Sequence, residues 1–140
     1  TEYARLFIMP GGVQPVESVY LSEKPLLMGE PWQQVKQFYK RNGLILEQPA
    51  LHPEDHAAVE LSFMAYMIEN KADIEEQKLF FAEHISPWFY LLFDKITNHK
   101  AASFYKEMAG CGKLFIEMEE KYLAEYSVKA SEGTEQRSDL

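Results

Sequence analysis

Helix punctuation recurs along the whole of this 140-residue chain, while strand-like alternation is confined to a short patch near Val16 to Leu21. That pattern predicts an all-α fold. Pro10-Gly11-Gly12 stops a first helix over residues 1 to 9 that carries Tyr3, Leu6 and Phe7. Gly29-Glu30-Pro31 opens a second helix, with Val35, Phe38 and Tyr39 on it, and Asn42-Gly43 closes it. Between them, residues 10 to 29 form a long loop whose Val19, Tyr20, Leu21, Leu26, Leu27 and Met28 are too apolar to be free of the body. A third helix is predicted from Pro53 to about Asn70. Pro53 suits its first position, Glu54 and Asp55 suit its positive end, and Ala57, Leu61, Met64 and Ile68 form its apolar stripe, with Phe63 and Met67 beside it.

The segment from Asp73 to Asn98 stays helical in pattern, with a kink or break expected near Ser86 because Pro87 lacks a backbone N–H. A last helical region runs from about Lys100 to Tyr126. Gly110-Cys111-Gly112 predicts a bend or short loop within it, since each helical glycine costs on the order of 1 kcal/mol relative to alanine. The expected organisation is one helical domain over residues 1–127 and a flexible polar tail over 128–140.

Charge narrows the partners. Fourteen basic against twenty-two acidic residues give a net charge of −8, which repels a phosphate backbone and disfavours nucleic acid. No apolar run reaches the roughly 18 residues of a membrane span. One cysteine, Cys111, excludes an intrachain disulfide framework and fits a reducing compartment, so a cytoplasmic protein is expected. The chain opens at Thr1 without a leader, and Tyr3 to Phe7 already reads as the inside of a helix, so upstream sequence is expected to be missing.

The chemistry concentrates in His52-Pro53-Glu54-Asp55-His56 and Glu60, a polar cluster at the mouth of an apolar helix, with His56 and Glu60 four residues apart. A helix cap, a ligand site and a metal site all fit these residue types. The metal alternative is a small metal-dependent helical protein using His52, His56 and Glu60, although no second cluster offers further ligands. His84 and Trp88 form a second polar-aromatic patch around Pro87, and Tyr20 and Tyr105 offer hydroxyls. No catalytic nucleophile is indicated, and Gly110 to Lys113 has neither the spacing nor the preceding strand of a phosphate loop.

Pro53-Glu54-Asp55-His56 followed by Glu60-Leu61 and Phe63-Met64 resembles the signature of the TorD/DmsD/NarJ-type chaperones that mature molybdenum-containing oxidoreductases. Leu6-Phe7, Pro10, Pro15 and Glu17-Ser18-Val19-Tyr20 look like that family's entry region, and Phe81, His84, Pro87, Trp88, Phe93 and Phe104-Tyr105 like its later helices. The resemblance implies a single-domain TorD-like helical bundle, lacking two helices that family members usually carry ahead of this point. It implies a non-enzyme without a cofactor, working as a monomer or domain-swapped dimer. It would bind the twin-arginine leader peptide or apoprotein of a molybdoenzyme and assist cofactor insertion before export or assembly. Pro53, Asp55 and His56 would belong to the leader-binding region, with Tyr20, His84 and Trp88 as neighbours. Glu54, Asp55 and Glu60 would face the two arginines, and Phe63, Met64, Trp88 and Phe89 would line a groove for the apolar run behind them.

Overall fold

A computed structural model of the chain describes residues 1–24, 27–47 and 50–138, with side chains as far as residue 126. Leu26, expected to pack with the loop, lies outside the described residues, as do the side chains of the predicted tail. The described residues form an opening π-helical turn, Ala4–Ile8, and six α-helices: α1 Glu17–Leu21, α2 Glu30–Arg41, α3 Ala57–Glu69, α4 Ile74–Phe80, α5 Ser86–Asn98 and α6 Phe104–Ser138. No strand is present among them, only an isolated antiparallel bridge between Val16 and His56. The all-α class predicted from the punctuation is the class of the structure.

Local chemistry sets most boundaries. Gly29 caps α2 with Pro31 in its first turn, and at the far end Asn42 Nδ2 donates to the Phe38 carbonyl before Gly43 turns the chain at φ +79°. Pro87 cannot donate to the preceding turn, and the chain absorbs the missing bond as a π-helical turn, Phe81–Ile85, between α4 and α5. The break expected near Ser86 is this junction. The loop over residues 10 to 29 does pack back, but through Val13, Val16, Glu17 and Ser18, whereas Leu21, Leu27 and Met28 are exposed. Its centre is α1 rather than irregular chain.

The core lies along α5, whose Trp88, Phe89, Leu92 and Ile96 meet Phe38, Phe63, Met67, Phe80 and Ile85. On α3 the buried positions are Glu60, Phe63, Met64 and Met67. Leu61 and Ile68, predicted to be buried, are 40% and 51% exposed because Glu60 turns the inward face of the helix toward a polar cluster. On α6 the buried residues are Ala109, Ile116 and Leu123, seven apart, so Phe104, Met108, Leu114, Phe115, Met118 and Tyr122 are left outside. The start of α6 is capped from the other end of the chain. Glu2 accepts backbone hydrogen bonds from Ser103, Phe104 and Tyr105, which hold its carboxyl below the usual range, the Ser103 bond foremost. The backbone of α6 runs on to Ser138.

The predicted interruption at Gly110-Cys111-Gly112 does not occur; α6 passes straight through it. The two glycines differ in kind. A Cβ on Gly112 would lie 2.5 Å from Phe93 Cζ, so this glycine lets the α5 ring rest on the α6 backbone, whereas a Cβ on Gly110 would meet nothing within 4 Å. Gly110→Ala is therefore expected to stabilise the fold by about 1 kcal/mol. Gly112→Ala is expected to destabilise it by about 1 kcal/mol, the forced displacement of the ring outweighing the helical gain. Denaturant midpoints of the two variants read the contrast, and shifts of the same sign would refute it.

Candidate functional site

The signature stretch is a turn before it is a helix. His56 N–H donates to the Pro53 carbonyl at 3.1 Å, and α3 starts only at Ala57, so Pro53, Glu54 and Asp55 are not its first turn as predicted. His56 is the cap itself, its Nδ1 accepting from Ala58 N–H at 3.1 Å. The turn is pinned to the entry segment by Ala57 N–H to the Pro15 carbonyl and Glu17 N–H to the Asp55 carbonyl, both 2.9 Å. Those bonds are why Pro53 and Glu54 cannot coil into α3.

Fixed there, Asp55 is fully buried and acts as a cap supplied from a distance. Its Oδ2 accepts from Ser18 N–H at 3.0 Å and from Ser18 Oγ–H at 2.5 Å, serving the first turn of α1, whose own N-cap residue Val16 offers no side-chain acceptor. Ser18 Oγ in turn accepts from Gly29 N–H at 3.1 Å, the residue that opens α2. One carboxylate thus ties the entry loop, α1, α2 and the α3 turn together.

A second buried chain of bonds lies alongside. Glu17 is 1% exposed and both of its carboxylate oxygens lie 3.0–3.1 Å from His84 Nδ1, which must carry the hydrogen it donates. Trp88 Nε1–H is shared between the His84 carbonyl at 2.6 Å and Glu60 Oε2 at 3.0 Å. Glu60 lies fully buried, close enough to Glu17 for the charge of one carboxyl to act on the other. Burial first, then the charge of Glu17, pushes Glu60 well above the ordinary carboxyl range, which favours its protonated form. Tyr20 covers this group, its ring 5.5 Å from that of Trp88 and its phenol raised to about 12 by burial. The Tyr20 hydroxyl, Asp55 Oδ1, Glu60 Oε1 and His84 Nε2 are buried without a hydrogen-bond partner among the described residues.

The structure therefore brings Tyr20, Asp55, Glu60, His84 and Trp88 together, but in the interior rather than on a rim. Phe63, Met64 and Phe89, expected to line a groove, are core residues beside them. Glu54 faces outward, its carboxylate accepting from Trp32 Nε1–H at 2.6 Å and its carbonyl from the Tyr39 hydroxyl at 2.7 Å. His56 stacks on His52 at 4.0 Å, and burial followed by the neighbouring imidazole lowers it to about 4, so it is neutral and free to cap at neutral pH. The metal alternative fails on this geometry. Glu60 points to Trp88 while His56 Nδ1 serves Ala58, and no group of three potential ligands forms among the described residues.

Sequence reasoning missed Glu17, Ser18 and Trp32 as partners of the signature. The available signal was the polar Glu17-Ser18 pair between apolar Val16 and Val19, too polar for a position that packs on the body. Beside Glu17 an open pocket is lined by Glu23, Glu30, Glu83, Ser22 and Gln34, with Lys24 the one cation among its lining residues. Its carboxylates face solvent, unlike those of Asp55 and Glu60.

Among the described residues, no helix is long and apolar enough to cross a membrane. The family model described as nitrate reductase delta subunit matches residues 1–94, the stretch that holds every residue of the buried network. Chaperone protein TorD of Vibrio cholerae serotype O1 (strain ATCC 39315) is 31% identical over 121 residues, 79% of this chain and 54% of that protein. Tat proofreading chaperone DmsD of Salmonella typhimurium is 30% identical over 116 residues, 81% of this chain and 56% of that protein. TorD of Shewanella pealeana is 28% identical over 131 residues, 87% of this chain and 59% of that protein. The chain spans a little over half the length of the relatives it matches. The chain belongs to the nitrate reductase delta subunit family, the TorD/DmsD type of redox-enzyme maturation chaperones.

Proposed function

We propose that the protein is a cytoplasmic, non-enzymatic chaperone for a molybdenum-containing oxidoreductase, binding that enzyme's twin-arginine leader peptide or apoprotein before export or assembly. The observation that carries this reading is the continuity of the network. Residues of the family signature, Asp55, His56 and Glu60, hold Ser18, Glu17, His84 and Trp88 in one bonded group, and an acid-lined pocket opens directly beside it. Guanidinium groups need ionised carboxylates with acceptor capacity to spare, and the exposed Glu23, Glu30 and Glu83, of which Glu30 also accepts from Gln34, meet that need better than the buried Asp55 and Glu60. In this reading Pro53, Glu54 and His56 present the turn, while Tyr20, Asp55, Glu60, His84 and Trp88 hold the pocket wall in position.

The test is a titration with a twin-arginine leader peptide, its Lys-Lys counterpart, and a Glu30→Gln/Glu83→Gln variant of the chain. Saturable binding that weakens about tenfold with either change is expected, because point-charge lysines lose the bidentate geometry. Equal and negligible binding in all three arms would sink the leader-peptide form of the function.

A further inference from the structure

Three carboxyls and one imidazole are sealed together behind the acid-lined pocket. Glu17 and His84 are 1% exposed, Asp55 and Glu60 are 0%, and His84 is the one member of the group that can become a cation. Three buried carboxyls do not all stay charged beside a single imidazole, because each buried charge needs a partner. Asp55 has its two donors from Ser18, and Glu17 has His84 Nδ1–H, so both are provided for as carboxylates. Glu60 is the one left over. Its Oε2 shares the indole hydrogen of Trp88 with the His84 carbonyl, its Oε1 has no hydrogen-bond partner among the described residues, and burial favours its neutral form. The group meets the pocket at two points. Glu17 is part of the pocket lining, and His84 Nε2, buried and without a hydrogen bond, lies 3.9 Å from Oε2 of Glu83, which is half exposed on the pocket wall.

We infer that a cation seated in this pocket expels the proton held by Glu60, so that ligand binding by this chain is coupled to proton release. The inference rests on the leader-peptide reading and adds the regulation of that site. A guanidinium beside Glu17 offsets the negative charge that opposes ionisation of Glu60, and its own positive charge favours the ionised form further. The proton passes from the Glu60 carboxyl to bulk water, and the carboxylate left behind is balanced by the charge of the ligand. Four titratable groups surround Glu60: Glu17 on α1, Asp55 in the turn before α3, His84 on the π-helical turn and Tyr39 on α2. Burial raises the Tyr39 phenol, which stays neutral. Trp88 on α5 carries no charge, while Glu23, Glu30, Glu83 and Lys24 face the ligand from the pocket wall. His84 is therefore the other proton source to be separated from Glu60. Linkage fixes the direction. A ligand that releases a proton binds the deprotonated form better, so it is held more tightly as the pH rises and loosened as it falls.

Calorimetric titration with a twin-arginine leader peptide, run in buffers of different ionisation enthalpy between about pH 5 and pH 8, counts the protons. The parent chain is expected to release a fraction of one proton per peptide and to bind about tenfold more tightly at the upper end of that range than at the lower. Glu60→Gln keeps an acceptor for Trp88 and has no proton to lose, so its affinity should stay near the low-pH value of the parent throughout. On the parent itself, the infrared carbonyl band of a protonated carboxyl should diminish when the peptide is added, a readout that needs no variant to fold. Absence of binding at every pH would sink the leader-peptide reading and this inference with it. Binding without proton release, an infrared band that the peptide leaves unchanged, or release undiminished in Glu60→Gln would each overturn the inference and leave the reading standing, the last of them assigning the proton to His84.

Discussion

Asp55→Ala is expected to lower the unfolding free energy by about 3–4 kcal/mol, the loss of two hydrogen bonds to a buried charged acceptor and the exposure of their donors to an apolar void. The bonds at stake are those from Ser18 N–H and Ser18 Oγ–H, and neither donor has another acceptor within reach in the structure. Water cannot readily substitute, because Asp55 and Ser18 are both fully buried. The damage should spread along the chain of bonds. With Asp55 gone, Ser18 Oγ–H is no longer held in place, and Gly29 N–H, which opens α2, loses a fixed partner. Asp55→Asn keeps one acceptor oxygen but loses the charge, so about half the penalty is expected. Ser18→Ala should cost about 2 kcal/mol alone and little more on top of Asp55→Ala, giving a coupling of more than about 1 kcal/mol in a double-mutant cycle. Urea unfolding of the four proteins measures this. An Asp55→Ala variant within about 1 kcal/mol of the parent would show that the bonds bring no net stability.

The same residues show how far the sequence could be read. Elements bounded by local chemistry were legible: Asn42-Gly43 ends α2 and Pro87 marks the junction before α5, because glycine's left-handed turn and proline's missing N–H act within a few residues. Positions decided by distant partners were not. Pro53, Glu54 and Asp55 have the composition of a helical first turn, yet backbone bonds to Pro15 and Glu17, nearly forty residues away in sequence, hold them out of α3. Gly112 looked like a helix breaker because the ring it accommodates, Phe93, sits on another helix. The candidate site divides likewise. Asp55, His56, His84 and Trp88 were recognisable by residue type and family pattern, but nothing local to Glu17 or Ser18 announces that they complete the network. The long-range cap of α6 by Glu2 escaped for the same reason, its partners lying about a hundred residues on.

Glu60→Gln is expected to stabilise the protein increasingly as the pH rises above the ordinary carboxyl range, the reverse of what removing a buried hydrogen-bonded acid usually does. The reason lies in where the proton sits. Glu60 is raised by burial first and by the Glu17 charge next, so between the unfolded-state value near 4.5 and its folded value the native chain keeps a proton that the unfolded chain has released. Its contribution to stability is complete below the unfolded value and is lost as pH climbs through the folded one, with a slope of about 1.4 kcal/mol per pH unit inside that window. Glutamine is neutral at every pH in the range. Its Oε1 can accept from Trp88 Nε1–H, so the bond to the indole is kept without a proton to lose. Parent and variant should therefore unfold alike near pH 5 and diverge in favour of the variant as the pH is raised toward about 8. Comparing the two proteins at each pH cancels other titrations, including that of His56, whose lowered value of about 4 acts in the opposite direction because burial and the neighbouring His52 favour its neutral form. A difference that does not change between the two ends of that range would mean that Glu60 is ionised in the folded protein.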